Sequence, residues 1–552
     1  MVQSREVIYH SDFTGGLNLT DSQQSIKENE SPDALNVDFG LRGGFVLRGG
    51  FQTQDYSSLY GDAIFLGPSY YGNDVVLMAE ADGSLCEFDG STILNKSQDL
   101  SDTTMAANPV RMANFSSAQG DKNYFANGRL SSNLVMRSWD DSTLTTLTNT
   151  FNDTYTSPAG GNMPLARHIA SHAGYMWVAD TVESATRYAH RVRFSHLQQP
   201  EDWATADYFE VDPSDDGDPI TALVPFQNVL LVFKRGSVHA VFGTSRDNFS
   251  LEALTQATGV NDPRAIAVHS GVCYWFSNQG QLMGFNGRGV VPVSDKVKWW
   301  TDLNYITHGG DHQLMWADEK LWLSLETGSA YPDFGSVSRL LFMYDPSIRA
   351  MTRYDKIVSD MFYWIRIGQD PDPLFLYPED DNIYRYDRSY PVDTQTPDFL
   401  IDQPSTAILD QDNNQLVSVD SSTSGNVRID GYYRTGWFTA SETATKKRWK
   451  RPRVTAAAEG DTTIRMRVYH DFDDGTTKKQ SEIIIDSEDT ALWNTMLWGD
   501  DWPENVSDTY NFARMPSAGT GHAVQFEFTS QDNPGRWWID SIALPFRRKQ
   551  VK

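Results

Sequence analysis

Residues 75–90 read VVLMAEADGSLCEFDG. An apolar run is followed by a Gly-containing turn, a second apolar run, and a turn that begins aromatic–Asp. Apolar runs of four to six residues punctuated by Gly, Asp and Asn are the signature of short strands joined by hairpins. The unit recurs as VLLVFKRGSVHAVFG (229–243), VCYWFSNQGQLMGFNG (272–287) and LFLYPEDDNIYRYD (374–387). GYMWVA (174–179), KLWLSL (320–325) and LLFMY (340–344) carry the same texture. Neighbouring units lie roughly 40–50 residues apart, the spacing of propeller blades. Candidate blades fall near 62–97, 109–149, 166–211, 219–256, 263–300, 312–355 and 358–388. An all-β fold containing a β-propeller of roughly six to eight blades follows. Two unrelated β-sandwiches are the rival arrangement.

Outward from the repeat, residues 396–430 are polar and rich in Ser, Thr and Asp and read as a linker. Alternating stretches follow at 463–469 (TIRMRVY), 480–485 (QSEIII), 522–528 (HAVQFEF) and 536–544 (RWWIDSIAL). Alternation is the mark of half-buried antiparallel strands, so residues 431–552 are expected to form a separate β-sandwich. The expected divisions are an extended N-terminal arm over 1–60, a propeller over 61–395, the linker and the sandwich. Within the arm, Ser31 before Pro32 has the form of a helix N-cap, which predicts one helical turn. GLRGGFVLRGG (40–50) reads as a Gly-rich hairpin.

The chain has 552 residues and a net charge of −27, with 12% aromatic side chains. Such a charge repels phosphate and excludes a general nucleic-acid binder. The aromatic content excludes wholesale disorder. Two cysteines, Cys86 and Cys273, exclude a disulfide framework, and there is no CxxC pair for zinc. MVQSREVIYH lacks the apolar run of a signal peptide, and no apolar stretch reaches the ~20 residues of a membrane span. The expectation is a protein made in a cytoplasm.

Templates for chemistry find little. Phosphate-loop, HExxH and GxSxG patterns are absent from the sequence. His168/His172 and His308/His312 have HxxxH spacing. The first pair runs into a strand, where the two imidazoles stand about 13 Å apart, too far for one ion. The second spans a Gly-Gly-Asp loop. Neither has an evident third ligand, so no metal and no cofactor is expected. The acidic loop 212–218 (DPSDDGD) has Leu223 where an EF-hand needs Glu. Asp212, Asp215, Asp216 and Asp218, with Glu379, Asp380 and Asp381, are read as solvated turns at a rim or channel. Ser530–Trp537 does not fit the spacing of the sialidase turn motif. Lys446, Lys447, Arg448, Lys450, Arg451 and Arg453 form a basic cluster around Trp449, which Arg547, Arg548 and Lys549 extend. In a chain this acidic, the cluster suits a contact with an acidic partner, a charge-protected edge strand or, third, nucleic acid.

The N-terminus carries the most specific residues: Asp12-Phe13-Thr14-Gly15-Gly16-Leu17-Asn18, then Asn29-Glu30-Ser31-Pro32-Asp33-Ala34-Leu35-Asn36-Val37-Asp38, then Arg42-Gly43-Gly44 and Arg48-Gly49-Gly50. This resembles the opening of bacteriophage tail proteins, in particular the β-propeller nozzle family of short-tailed phages, also called tail tubular protein B or tail hub. Minor tail proteins of long-tailed phages open similarly. Arg448-Trp449-Lys450-Arg451, Ala523–Phe526 and Arg536–Ile542 resemble that family's C-terminal sandwich. Gly15, Gly16, Asn18, Pro32, Asp33, Asn36, Gly43 and Gly49 are the motif positions. The resemblance implies a non-enzymatic virion protein assembled in the bacterial cytoplasm. It implies a homo-hexameric ring that contacts other tail proteins (adaptor, fibres or spikes) and passes double-stranded DNA without specific binding. A strongly negative ring would let DNA slide. The alternative is a carbohydrate-binding or carbohydrate-cleaving propeller at a tail tip, with Trp299-Trp300 and Trp498–Trp502 as stacking candidates.

Overall fold

The computed structural model describes residues 6–549 except 41–42, 54–62, 70–74, 81–82, 100–109, 118–119, 127–135, 152–160, 214–217, 331–336, 367–370, 378–381, 389–391, 395–425, 459–461, 474–476, 478, 486–510, 515–516 and 532–535. Seven four-stranded antiparallel sheets follow one another along the chain. Their inner strands are Ile64–Pro68, Arg111–Ser117, Leu165–His172, Ile220–Phe226, Ile266–His269, Gln313–Ala317 and Asp360–Trp364, and each sheet runs outward from there. The inner strands of blades 7 and 1 lie side by side, which closes the ring. The fold is all-β, a seven-bladed β-propeller with a C-terminal β-sandwich. The seven sheets occupy the seven stretches that carry the sequence repeat.

The middle strands of the blades are apolar runs because both their faces are buried between neighbouring blades. Val76, Met78, Cys86 and Phe88 of blade 1 pack against Trp364, Leu374 and Ile383 of blade 7. The intervening Leu77, Ala79 and Leu85 turn to Phe125 and Trp139 of blade 2. Blades 3 and 4 meet through Trp177, Phe194, Leu230 and Val232. Blades 4 and 5 meet through Leu231, Phe233 and Trp275. The period-2 geometry of a strand sends alternate side chains to the two neighbouring blades. The aromatic–Asp turns have one mechanism. Asp89 Oδ1 accepts hydrogen bonds from the amides of Ser91 and Thr92, both at 2.8 Å. Asp140 Oδ1 does the same for Ser142 and Thr143, at 3.2 and 2.8 Å. The preceding Phe88 and Trp139 are buried between blades. The aromatic anchors the strand and the carboxylate turns the chain into the outer strand.

Blade 7 takes its outer strand from the other end of the chain: Gly50–Thr53 pairs with Tyr384–Asp387. The rest of the N-terminal segment is extended but does not stand apart as an arm. Glu6–His10, Val37–Phe39 and Phe45–Leu47 join Lys447–Trp449, Arg453–Ala458, Asn511–Arg514, Gly519–Gly521 and Trp537–Arg548 in an eight-stranded sheet. Asp33–Leu35 joins Tyr432–Arg434, Val524–Gln531, Thr462–His470 and Lys479–Ile485 in the opposing five-stranded sheet. Between the sheets Phe45 stacks on Tyr433 at 4.2 Å, with Phe13, Phe528 and Trp537 around them. This core runs on without a break into blades 5, 6 and 7.

One expectation is corrected. The helical turn expected at Ser31-Pro32 is two short strands, Glu30–Ser31 and Asp33–Leu35. The Ser31 hydroxyl donates to the Arg434 carbonyl at 2.7 Å instead of capping a helix, and Asp33–Leu35 finds its backbone partners in the sandwich. Of the expected linker, residues 396–425 lie outside the described residues; at its end Asn426–Arg428 pairs with Val392–Thr394.

Candidate functional site

The N-terminal motif is a set of locks between the three parts of the fold. Arg48 has no exposed surface and spends every guanidinium nitrogen. Its Nη1 and Nη2 grip the two Asp393 oxygens at 2.9 and 2.8 Å. Nη2 also reaches Asp355 at 2.8 Å, Nε reaches Asn36 Oδ1 at 2.9 Å, and Nη1 reaches the Gly49 carbonyl at 2.8 Å. Asn36 sits in the left-handed region at φ 56 and donates to the Asp430 carbonyl at 2.5 Å. A Cβ at Gly49 would lie 2.3 Å from the Asp387 carbonyl oxygen, so only Gly lets the two backbones meet there. Gly16, at φ +66, approaches the outer strand of blade 6, where a Cβ would fall 2.7 Å from the Met351 amide. Gly15 and Gly43 are equally close-packed, against Asn29 and Ser11. Asn18 bridges Asp21 and Glu30 at 2.9 and 3.0 Å, and Asp33 accepts from the Tyr432 hydroxyl at 2.7 Å. Pro32 separates the two short strands.

The basic cluster divides. Lys447 is buried, and its ammonium donates to the carbonyls of Glu442, Thr445 and His522. It is a structural cation. Lys450 is half-buried; its amide donates to the Pro545 carbonyl at 2.8 Å. Lys446, Arg448, Arg451 and Arg453 are exposed. Lys447–Trp449 and Arg453–Ala458 are each paired on both sides, so edge protection is not their role. Strand register places three rows on the outer face of the eight-stranded sheet. Tyr9, Ala543 and Arg453 lie in one, Val7 and Pro545 in the next, and Arg547 with Arg448 in the third. Rows two residues apart are about 7 Å apart. Val7 is 55% and Tyr9 69% exposed. Among the described residues no ion pair involves Arg448, Arg451, Arg453 or Arg547, whereas Arg548 pairs with Glu6 and Glu442. Two arginines directly opposite in adjacent strands repel each other.

The acidic loops are less informative. Asp218 accepts from the amides of Arg235 and Gly236 at 2.7 and 3.1 Å and so caps a blade 4 hairpin. Asp212 lies 3.2 Å from His239 Nε2. Asp215, Asp216, Glu379, Asp380 and Asp381 lie outside the described residues, as do Trp498–Trp502. His168 and His172 are on one inner strand; His308 is exposed in a turn and His312 buried beside it. Trp299 is half-exposed on the short helix Lys298–Asp302, while Trp300 packs against Phe342 and Tyr305.

A charged cluster that sequence reasoning missed fills the propeller axis where the chain enters the inner strands. Arg111 of blade 2 reaches Asp262, at the approach to blade 5, at 3.2 Å. In a ring of seven these blades are nearly opposite, so the pair crosses the bore. Arg264 contacts Asp262 and Asp311, and Arg339 reaches Asp311 at 2.7 Å. Asp360 of blade 7 accepts from the Phe65 amide at 2.6 Å. Burial pushes the Asp360 carboxyl up to about 6 against the opposing pull of Arg264. Burial, assisted by Arg111 and Arg167, drives His168 down to about 3, so its ring is neutral. A cavity of about 210 Å³ lies among Arg111, Arg264, Gln313 and Asp360.

No protein-family model matches the sequence, and no curated protein matches it. Solved structures similar to the chain include BBS1N in complex with ARL6DN, at 10% identity and TM-score 0.38, covering 62% of this chain and 98% of that one. BamB from Moraxella catarrhalis is similar at 11% identity and TM-score 0.35, covering 70% of this chain and 98% of that one. YCF48 from Cyanidioschyzon merolae is similar at 10% identity and TM-score 0.37, covering 61% and 98%. These likenesses concern fold alone; blade number and closure come from the strand pairing itself. Among the described residues no helix is long and apolar enough to cross a membrane.

Proposed function

We propose that the chain is a non-enzymatic structural subunit of a bacteriophage tail, of the nozzle kind, that assembles into a ring of six copies around a path for double-stranded DNA. The observation that carries this reading is the outer face of the eight-stranded sheet. Arg448, Arg453 and Arg547, without an ion-pair partner among the described residues, flank the exposed Val7 and Tyr9 on a chain of net −27. Arg and Tyr around an apolar centre is the composition of a protein interface. The surface that suits it electrostatically is acidic, and a second copy of this chain, at net −27, is acidic overall. The N-terminal motif resemblance supports the same assignment. Arg111–Asp262 and the side chains around them bridge the propeller bore. A duplex whose major groove alone is about 12 Å wide does not fit there. The DNA path in this reading therefore lies between copies, with adaptor and fibre or spike proteins at the ends of the ring. Light scattering of the purified chain, and its copy number per particle, test the proposal. A closed ring of several copies that loosens with salt is expected. A monomer at micromolar concentration that binds glycans overturns it.

A further inference from the structure

We propose that the axial cavity of the propeller is a binding site for a phosphate group that retains a proton, either free phosphate or a small monoester. Donors and acceptors line the cavity from different blades: the Arg111 guanidinium from blade 2, Arg264 from the approach to blade 5, Gln313 from blade 6 and Asp360 from blade 7. Gln313 is 2% exposed. Its Nε2 donates to the Ser359 carbonyl, while among the described residues its Oε1 has no hydrogen-bond partner. A buried acceptor left unmet costs about 1–3 kcal/mol, and an occupant that donates to Gln313 Oε1 removes that cost. Asp360 accepts from the Phe65 and Met361 amides, and a carboxylate with about four lone-pair sites keeps capacity for one more donor. The occupant must therefore accept from guanidinium and donate to an amide or carboxyl oxygen. A tetrahedral oxyanion with one O–H meets both demands in divergent directions, as a planar carboxylate does not. Sulfate has no O–H at neutral pH. A phosphodiester has none either, so DNA backbone is excluded as occupant. The volume, equal to about seven water molecules, admits the group with its hydration.

Equilibrium dialysis of the full chain at pH 7 against inorganic phosphate, with sulfate and glycerol phosphate as competitors, tests this. One saturable phosphate per chain is expected, with sulfate weaker by about tenfold or more, a difference of ~1.4 kcal/mol. Competition by glycerol phosphate makes a monoester the occupant; failure to compete restricts the site to free phosphate. Gln313→Leu and, independently, Asp360→Asn should shrink the preference for phosphate over sulfate, and Arg111→Gln should abolish binding of both. Circular dichroism melting confirms that each variant is folded. Equal affinity for sulfate and phosphate, or unchanged binding in folded Arg111→Gln, overturns the proposal.

Discussion

Arg48 shows how one side chain can hold three parts of a molecule together. Its guanidinium ties the hairpin after Asn36 to Asp355 at the end of blade 6 and to Asp393 past blade 7. Burial alone would push Asp393 up, but Arg48 and Lys356 hold its carboxyl well below the usual range. Arg48→Met should cost about 3–5 kcal/mol, because it leaves two buried carboxylates with one cation fewer. Arg48→Lys should recover little, since an ammonium cannot reproduce the fork. Denaturant unfolding measures both. Asp360 has the opposite sign. Its folded carboxyl titrates near 6, above the 3.8 of an ordinary Asp, so the folded state binds its proton first. Its contribution to stability is therefore largest below about pH 4 and falls as pH rises to about 6, by roughly 3 kcal/mol. Arg264, Asp311 and the Phe65 and Met361 amides are the groups that act on it. Asp360→Asn should remove that slope from the difference between variant and parent melting curves over pH 4–7. At this scale the sequence was half legible. Asn36, Arg48 and Gly49 stood out as a motif, but nothing in their spacing named Asp393 as the partner 345 residues away. The axial cluster was illegible for the same reason, although one local signal existed. Arg111, Asp311 and Asp360 each stand at or near the first residue of an apolar inner strand.

At the scale of elements, the blades were readable because their middle strands, such as Val76–Ala79, Val229–Lys234 and Leu282–Phe285, are buried almost throughout and leave apolar runs bounded by Gly and Asp. Outer strands such as Tyr208–Glu210 and Ser250–Thr255 are largely exposed. The seventh blade was readable only in part. Its fourth strand, Gly50–Thr53, follows Arg48-Gly49 in the sequence and bears no mark of the blade it completes. The basic cluster was visible as composition, but composition does not divide Lys447, which is caged by carbonyls, from Arg448, which faces outward. The division makes a prediction. Lys447→Glu should destabilise the sandwich by several kcal/mol, since it buries an unpaired anion against three carbonyl oxygens. The triple change of Arg448, Arg453 and Arg547 to Glu removes the cross-strand repulsion between arginines only to replace it with another, so stability should move by less than about 1 kcal/mol. The same triple variant should lose ring assembly at low salt, read by light scattering beside an unchanged melting temperature. Wild-type assembly by the triple variant would remove the charged face from the interface.

At the scale of the whole molecule, the two ends of the chain are woven into each other. The first 53 residues give the sandwich four strands and the propeller its closing strand. The last strand, Trp537–Arg548, pairs in turn with Glu6–His10 and Phe45–Leu47. Sandwich and propeller then share one core through Phe13, Val37, Phe51, Trp322 and Phe528. A domain boundary near residue 60 is thus a boundary in sequence but not in packing. Closing a ring with a strand from the opposite terminus makes formation of blade 7 wait on contacts of the highest sequence separation. Deleting residues 1–53 should therefore do more than prevent assembly. It removes Arg48 from two buried carboxylates, exposes the edge of blade 7 at Tyr384–Asp387, and strips Phe13, Phe45 and Phe51 from the core. Each loss alone is worth several kcal/mol, and together they exceed the 5–15 kcal/mol by which a domain is usually stable. The expected outcome is a chain that lacks a cooperative melting transition in both near-ultraviolet circular dichroism and calorimetry. Supplying residues 1–53 in trans should restore part of the transition, because the strand sites it fills are defined by the rest of the fold. A truncated chain that melts cooperatively near the parent temperature would mean that the sandwich and six blades stand without their closure.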